Sequence, residues 1–508
     1  MKNKALLLLA LFTFTAQAQN FEWAKSMGGT NGDQGKSITV DNSGNVYTTG
    51  YFEGTADFDP SAGTFTLTTT GGGGDIFITK LDASGNLVWA KQMGGTSDDR
   101  GYSIATDDDE NVYITGDFYG TADFDPDSGT FDLTSSGGSD IFITKLDPSG
   151  NFVWAKQMGG ANADRGYSIT MDASGNVYIT GYFEGTVDFD PDSGTFDLTS
   201  SGGSDIFISK LDPSGNFLWA KQMGGTSDDR SYSITVDTSG NVYTTGYFRE
   251  TTDFDPGDDT FNLTSAGTRD IFISKLDALG NFVWAKQIGG IDTDEGNSIV
   301  LDANGNIYIT GYFRETVDFD PNSDTFDLTS AGSADIFISK LDGSGNFMWA
   351  KQMGGIRYDY VQSIAVDNSG NVYTTGRFDG SADFDPGFGT FYLSPAAGFD
   401  AFISKLDPSG NFVWAKQLTG TSGDIVGYSI SVDDNSNVYT TGYFQGTSDF
   451  DTGAGNYNLT PVGFFDIFVH KMSQDNFSIQ DNQSNNFNLS IYPNPSHGVF
   501  QINHNNTR

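Results

Sequence analysis

Asn216-Phe217-Leu218-Trp219-Ala220-Lys221-Gln222 is the stretch from which the fold is read. It has neither Pro nor Gly inside it, and aromatic and aliphatic side chains fill both alternating sets, which marks an extended strand. The same phrase surrounds each of the seven tryptophans, Trp23, Trp89, Trp154, Trp219, Trp284, Trp349 and Trp414. Successive tryptophans are separated by 66, 65, 65, 65, 65 and 65 residues. Self-similarity at a fixed period signals a repeat architecture, in which each unit buries its apolar faces only against its neighbours.

Working outward from Trp219, the unit contains three more strand signals. Ser168–Asp172 alternates polar and apolar residues, Asn176–Phe183 is β-branched and aromatic, and Asp205–Leu211 is a third apolar run. Ala173-Ser174-Gly175 and Asp212-Pro213-Ser214-Gly215 have the chemistry of tight turns between antiparallel strands. In the fourth strand, Phe217, Trp219 and Met223 share one face while Leu218 and Ala220 share the other. A sheet that is apolar on both faces needs a neighbour on each side, and a ring of such sheets supplies them. The expectation is all-β: a seven-bladed β-propeller of four-stranded antiparallel blades, with a linear solenoid as the competing architecture. Phe21–Ser26 reads as a fourth strand without its first three, and the seventh repeat ends after a third strand, 466–472. Residues 21–26 are therefore expected to lie beside 466–472 and close the ring.

Composition narrows the function. With 26 Lys+Arg against 66 Asp+Glu the net charge is −40, which opposes approach to nucleic acid or anionic lipid. The chain has no Cys, and its three His (His470, His497, His504) lie near the C-terminal end, so thiolate chemistry and histidine-based zinc sites or triads lack material. Lys2 and Lys4, the apolar run Ala5–Phe14 and Ala16-Gln17-Ala18 read as a secretory signal peptide over 1–18. Ten apolar residues span about 15 Å of helix, half a bilayer core. No membrane span is expected, and a secreted or cell-surface protein is. The organisation read from the chain is signal peptide 1–18, propeller 19–472, an Asn/Gln/Ser-rich linker 473–486 and a separate segment 487–508.

Candidate site residues fall on one end of the ring, where the fourth-to-first and second-to-third connections meet. The second-to-third connection runs about twenty residues, far beyond what a hairpin needs. It carries an Asp-Phe-Asp pair in every repeat: Asp57 with Asp59, Asp123 with Asp125, Asp188 with Asp190, Asp253 with Asp255, Asp318 with Asp320, Asp383 with Asp385 and Asp449 with Asp451. Residues two apart on extended chain point the same way, so each pair offers two hard oxygen ligands to Ca²⁺, the one cofactor brought forward. The competing reading has each Asp capping a turn while the Phe between them plugs the sheet. A unique ligand should break the repeat, and the clearest break is in the sixth unit. There Arg357, Tyr358 and Tyr360 replace the Thr-Ser-Asp-Asp-Arg loop, Arg377 replaces Tyr, and Phe388 and Phe399 enter the insertion. Arg and Tyr together can stack on sugar rings or anchor a protein. No catalytic residue is assigned.

The run 205–230, Asp-Ile-Phe-Ile-Ser-Lys-Leu-Asp-Pro-Ser-Gly-Asn-Phe-Leu-Trp-Ala-Lys-Gln-Met-Gly-Gly-Thr-Ser-Asp-Asp-Arg, continuing to Asn241–Gly246, closely resembles the SBBP-type bacterial β-propeller repeat. That resemblance implies a secreted or surface protein and no agreed activity. Leu489–Ile502, with Tyr492-Pro493-Asn494-Pro495 and His497, resembles the opening of the type IX secretion sorting domain of Bacteroidetes. The type IX machinery is thereby implied as a partner in export. The expected role is a non-enzymatic binding or adhesion module that presents an acidic loop face to an extracellular glycan or protein. The alternatives are a carbohydrate-active enzyme, a glycosidase or lyase working through Asp pairs, and a structural surface-layer component.

Overall fold

The computed structural model describes residues 17–476, 490–492 and 501–503. Every repeat is an antiparallel meander. In the second repeat the first strand is Arg100–Thr106, the second Val112–Phe118, the third Asp140–Leu146 and the fourth Phe152–Gly160. The turns work as their composition predicts. In the third-to-fourth turn, Asp147 accepts the amides of Ser149 and Asn151 on Oδ1, and Gly150 supplies the positive φ of 81° that closes it.

The first strands stand next to one another around an axis. Each has a β-bulge just before a serine or its equivalent, as between Gly101 and Ser103. The serine that follows the bulge accepts the amide of an isoleucine in the following repeat. Ile104 donates to Ser37 at 3.2 Å, Ile169 to Ser103 at 3.2 Å and Ile234 to Ser168 at 3.3 Å. Ile299 donates to Ser233, Ile364 to Ser298 and Ile430 to Ser363. Ile38 donates to Ser429 at 3.2 Å and so returns to the first repeat. The chain ends meet as expected: Gln17–Gly29 pairs antiparallel with Asp466–Asn476, with Phe21 opposite Met472 and Met27 opposite Ile467. This pairing continues past Met472 to Asn476.

The expectation of a seven-bladed propeller made of four-stranded blades is corrected by the hydrogen bonding. The chain is an all-β propeller, but the sheets that hold six or more strands number five, not seven, and one further sheet has four strands. The cause is the insertion between second and third strands. It forms a short hairpin, Thr121–Asp123 with Asp132–Thr134 in the second repeat, that pairs with the end of the preceding fourth strand. Gly94 and Gly95 there face Asp123 and Ala122. Sheets are thus lengthened across repeat boundaries, and the second and third repeats merge into one ten-stranded sheet. Seven sequence repeats are consequently not seven separate sheets.

The Phe of each Asp-Phe-Asp insertion fills the core beneath this hairpin. Phe124 is fully buried, with its ring centroid 5.3 Å from Phe118 and 5.0 Å from Phe142. The two-faced apolar reading of the fourth strand holds for Ala220, which is buried, and fails for Leu218, which is 47% exposed. A bulge opposite Lys210 and Leu211 interrupts the alternation at Leu218 and turns it outward. Trp219 lies half-buried, edge-on to Tyr178 at 6.2 Å.

Among the described residues no helix is long and apolar enough to cross a membrane. Residues 1–16 of the expected signal peptide lie outside the described residues, as does His497 of the sorting-domain resemblance. From that C-terminal segment, Ser490–Tyr492 pairs antiparallel with Gln501–Asn503.

Candidate binding site at the propeller axis

The bulges decide what faces the axis. A bulged residue has no partner across the ladder, so its side chain is re-aimed. The bulged residues are Lys36, Tyr102, Tyr167, Tyr232, Asn297, Gln362 and Tyr428, and all seven line one cleft of about 510 Å³. Glu295 and Tyr360 at the starts of first strands and Tyr312 and Arg377 at the ends of second strands join them. The cleft therefore opens at the end of the ring where the fourth-to-first loops lie. Its volume falls in the range of small-molecule sites.

Aromatic rings and cations interleave along its wall. Tyr167 meets Tyr102 at 5.5 Å and Tyr232 at 5.2 Å, and Tyr312 meets Tyr360 edge-on at 4.9 Å. Lys36 Nζ lies 3.8 Å from the centre of the Tyr428 ring, Arg230 4.2 Å from Tyr182 and Arg269 4.3 Å from Tyr247. Arg165 donates to Asp117 at 3.1 and 3.2 Å, and Arg269 is paired with Glu295. Burial, with Arg100 and Arg377 nearby, depresses the Lys36 ammonium to about 7. Burial raises the hydroxyls of Tyr51 and Tyr182 to about 12, so these rings present neutral O–H groups.

The sixth-repeat residues divide. Arg377 sits 5.3 Å from the Tyr360 ring and 4.7 Å from the Phe399 ring, and Tyr358 stacks parallel to Tyr360 at 6.0 Å. These four form part of the cleft and its mouth. Arg357 is instead turned to Asp379, 3.2 Å away on the loop, and Phe388 is fully exposed at the tip of the insertion hairpin. The structure does not bring Phe388 to the others.

In each Asp pair, brought forward as a source of oxygen ligands for Ca²⁺, Oδ1 of both members accepts backbone amides. Asp57 Oδ1 accepts the amides of Asp59 and Phe65 at 3.0 and 2.8 Å. Asp123, Asp188, Asp253, Asp318, Asp383 and Asp449 each accept the same two amides of their own turns. The second members each cap the amide two residues on. Asp59 Oδ1 accepts from Ser61 at 2.9 Å, Asp125 from Asp127 at 3.0 Å and Asp190 from Asp192 at 3.0 Å. Asp255 accepts from Gly257 at 2.9 Å and Asp320 from Asn322 at 3.0 Å. Asp385 accepts from Gly387 at 2.9 Å and Asp451 from Gly453 at 2.8 Å. Asp125, Asp190, Asp320, Asp385 and Asp451 do not reach the axial cleft, because they stand on the insertion hairpins rather than on the first strands that line it. Among the described residues no group of three or more His, Cys, Asp or Glu has an arrangement that could hold a metal ion.

Sequence reasoning passed over the bulged residues. The signal was available: aligned on the following serine, which is the same in all seven units, this position reads Lys, Tyr, Tyr, Tyr, Asn, Gln, Tyr.

Fold and cleft together define a repeat-built β-propeller with an aromatic, mixed-charge cleft on its axis. The repeat is the SBBP β-propeller repeat, matched at residues 22–51, 88–117, 153–182, 218–247, 283–312, 349–383 and 413–450, and the chain is an SBBP-type repeat protein. It is 26% identical over 505 residues to an uncharacterised WD repeat-containing protein of Acanthamoeba polyphaga mimivirus, covering 83% of this chain and 36% of that protein. It is 25% identical over 428 residues to the regulatory protein FlaEY of Caulobacter vibrioides, covering 78% of this chain and 42% of that one. The chain thus spans well under half the length of either relative. Among solved structures it is similar to a quinohemoprotein alcohol dehydrogenase of Pseudomonas putida, at 12% identity and a TM-score of 0.40, covering 94% of this chain and 79% of the other. A Bacteroides caccae protein of unknown function is similar at 11% identity and a TM-score of 0.34, covering 67% and 89%. At these identities and scores neither likeness bears on function.

Proposed function

We propose that the protein is an exported, non-enzymatic binding module whose ligand, an extracellular glycan or protein, enters the axial cleft. One observation carries this reading: the repeats are nearly identical where they build the scaffold and differ at the bulged position that lines the cleft. A rigid ring whose axial lining differs from repeat to repeat suits one asymmetric ligand. The enzymatic alternative needs two carboxyl groups in unlike environments with access to substrate. The acids nearest the cleft, Asp117 and Glu295, are each engaged by an arginine, Arg165 and Arg269. Export follows from the signal-peptide reading of 1–18 and from the sorting-domain resemblance of the C-terminal segment.

The test is an array of extracellular glycans and surface proteins, probed with the wild type and with a triple variant of unchanged circular dichroism that combines Tyr102→Ala, Tyr167→Ala and Tyr232→Ala. Signals that vanish in the variant support the cleft. Signals that persist undiminished would place binding elsewhere, and hydrolysed spots would show an enzyme.

A further inference from the structure

The cleft is not electrically uniform. On one side two arginines are paired, Arg165 with Asp117 at 3.1 Å and Arg269 with Glu295, while Arg230 beside them lies over Tyr182 and donates to Ser204. On the side formed by the sixth, seventh and first repeats the lining cations are not so paired. Lys36 and Arg377 line the cleft, and among the described residues neither has a carboxylate within ion-pair distance. Lys36 is held over Tyr428 and Tyr51, 3.8 and 5.6 Å from the ring centres. Arg377 lies against Tyr360 and Phe399, and its Nε is buried with no hydrogen-bond partner. A buried donor left unpaired keeps its desolvation penalty, and two like charges that share a cleft add repulsion. In a chain with 66 acidic residues, two cations that line a cleft with no carboxylate paired to either are a conspicuous departure.

An anionic group entering from solvent would satisfy the Arg377 donor, counter both charges and favour the charged form of Lys36. The surrounding surface is flat aromatic, which suits the face of a sugar ring. The −40 background disfavours a long polyanion, while a short one inside the cleft feels chiefly the local cations, because screening cuts off distant charge beyond about 8 Å. We propose that the cleft binds a short acidic saccharide, a sugar bearing a carboxylate or sulfate, with its anionic group on the Lys36–Arg377 side. This inference rests on the binding-module reading above and names its ligand class.

The experiment is isothermal titration of the full chain at pH 6 and pH 8 with trigalacturonate, a sulfated trisaccharide, neutral cellotriose and triglutamate. Two variants restore the residue that other repeats carry at the equivalent positions. Lys36→Tyr copies Tyr102, Tyr167, Tyr232 and Tyr428, and Arg377→Tyr copies Tyr51, Tyr182, Tyr247, Tyr312 and Tyr443, so the fold should tolerate both. One of the acidic trisaccharides is expected to bind at least tenfold more tightly than cellotriose, and more tightly at pH 6 than at pH 8. The comparison of the two identifies the anionic group. Each variant should weaken that binding by about tenfold, the loss of one charge-assisted hydrogen bond. Equal binding of cellotriose, with both variants silent, would overturn the anionic ligand and leave the binding module standing. Preference for triglutamate would replace the saccharide with an acidic peptide. Failure of every probe to bind would also overturn the inference, and the array above would then judge the module itself.

Discussion

The insertion hairpin is part of the core, and Phe189→Ala tests this directly. Phe189 is fully buried, with ring centroids 5.3 Å from Phe183 and 5.1 Å from Phe207. Removing a wholly buried Phe costs about 3–5 kcal/mol, through lost transfer energy and the cavity left behind. Phe196, seven residues on in the same insertion, is the internal control. It is 39% exposed and touches Phe217 at 5.1 Å, so Phe196→Ala should cost about 1 kcal/mol. Urea unfolding followed by tryptophan fluorescence should give a clearly lower midpoint for Phe189→Ala and a small shift for Phe196→Ala. If the two variants lie within about 1 kcal/mol of each other, the insertion is a surface loop and its pairing with the preceding fourth strand is not structural.

Burial raises the carboxyls of Asp99 and Asp164 from 3.8 to about 7, so the folded chain binds more protons than the unfolded one between those values. The stability this supplies is complete below the unfolded pKa and drains as pH rises through about 7. Melting temperature should therefore fall from pH 5 to pH 8, less steeply in Asp164→Asn, and a flat or rising profile would contradict the burial. Trp219→Ala should cost about 2 kcal/mol, less than a fully buried Trp, because the ring is half-covered by Tyr178; an unchanged urea midpoint would show the contact to be idle. Because both Asp pair oxygens that face the turns already accept backbone amides, Ca²⁺ and chelator should give identical calorimetric traces, and a stabilising shift with Ca²⁺ would show an ion bound there. Ser103→Ala leaves the part-buried amide of Ile169 without an acceptor and should cost about 1 kcal/mol by urea titration, whereas no change would mean that the serine belt is incidental.

The repeat, its strands and the pairing of 21–26 with 466–472 were legible because they rest on local rules: a fixed period, turn chemistry, and a lone fourth strand before the first repeat that matches the one the seventh lacks. Two features were not, and both are bulges. Leu218 follows the alternation in sequence and departs from it in space, because one extra residue opposite Lys210 and Leu211 shifts the register. Tyr102 reads as one more polar position in Arg100–Thr106, but the bulge between Gly101 and Ser103 releases it from the ladder and turns it to the axis. Hydrophobic periodicity carries no mark of a bulge, so the cleft was hidden. The Asp-Phe-Asp pairs were legible in their competing reading, as turn caps flanking a core Phe. A conspicuous acidic motif looks like a ligand set, yet the Oδ1 atoms of Asp123 and Asp125, like those of their counterparts, serve the amides of their own turn. The sheet count was illegible too, since pairing across repeat boundaries arises from insertion strands only two or three residues long.

A bulged position on the axis is also where a repeat protein can vary most cheaply. Ser37, Ile38 and their counterparts are held by hydrogen bonds that pass from repeat to repeat, so a change at any one disturbs a neighbour. At Gly35 an added Cβ would lie 2.4 Å from Thr441 Oγ1, so a side chain there needs its neighbour to shift. The bulged residue between them makes no ladder bond and occupies no core, so Lys, Asn or Gln can stand there as well as Tyr without altering the ring. Scaffold and specificity are thereby separated at the level of single residues. It follows that exchanging bulged residues between repeats, Lys36→Tyr with Tyr102→Lys for instance, should leave the melting temperature nearly unchanged while moving the charge within the cleft and altering what it binds. A fall in melting temperature as large as that of Phe189→Ala would show that the axis is part of the scaffold after all.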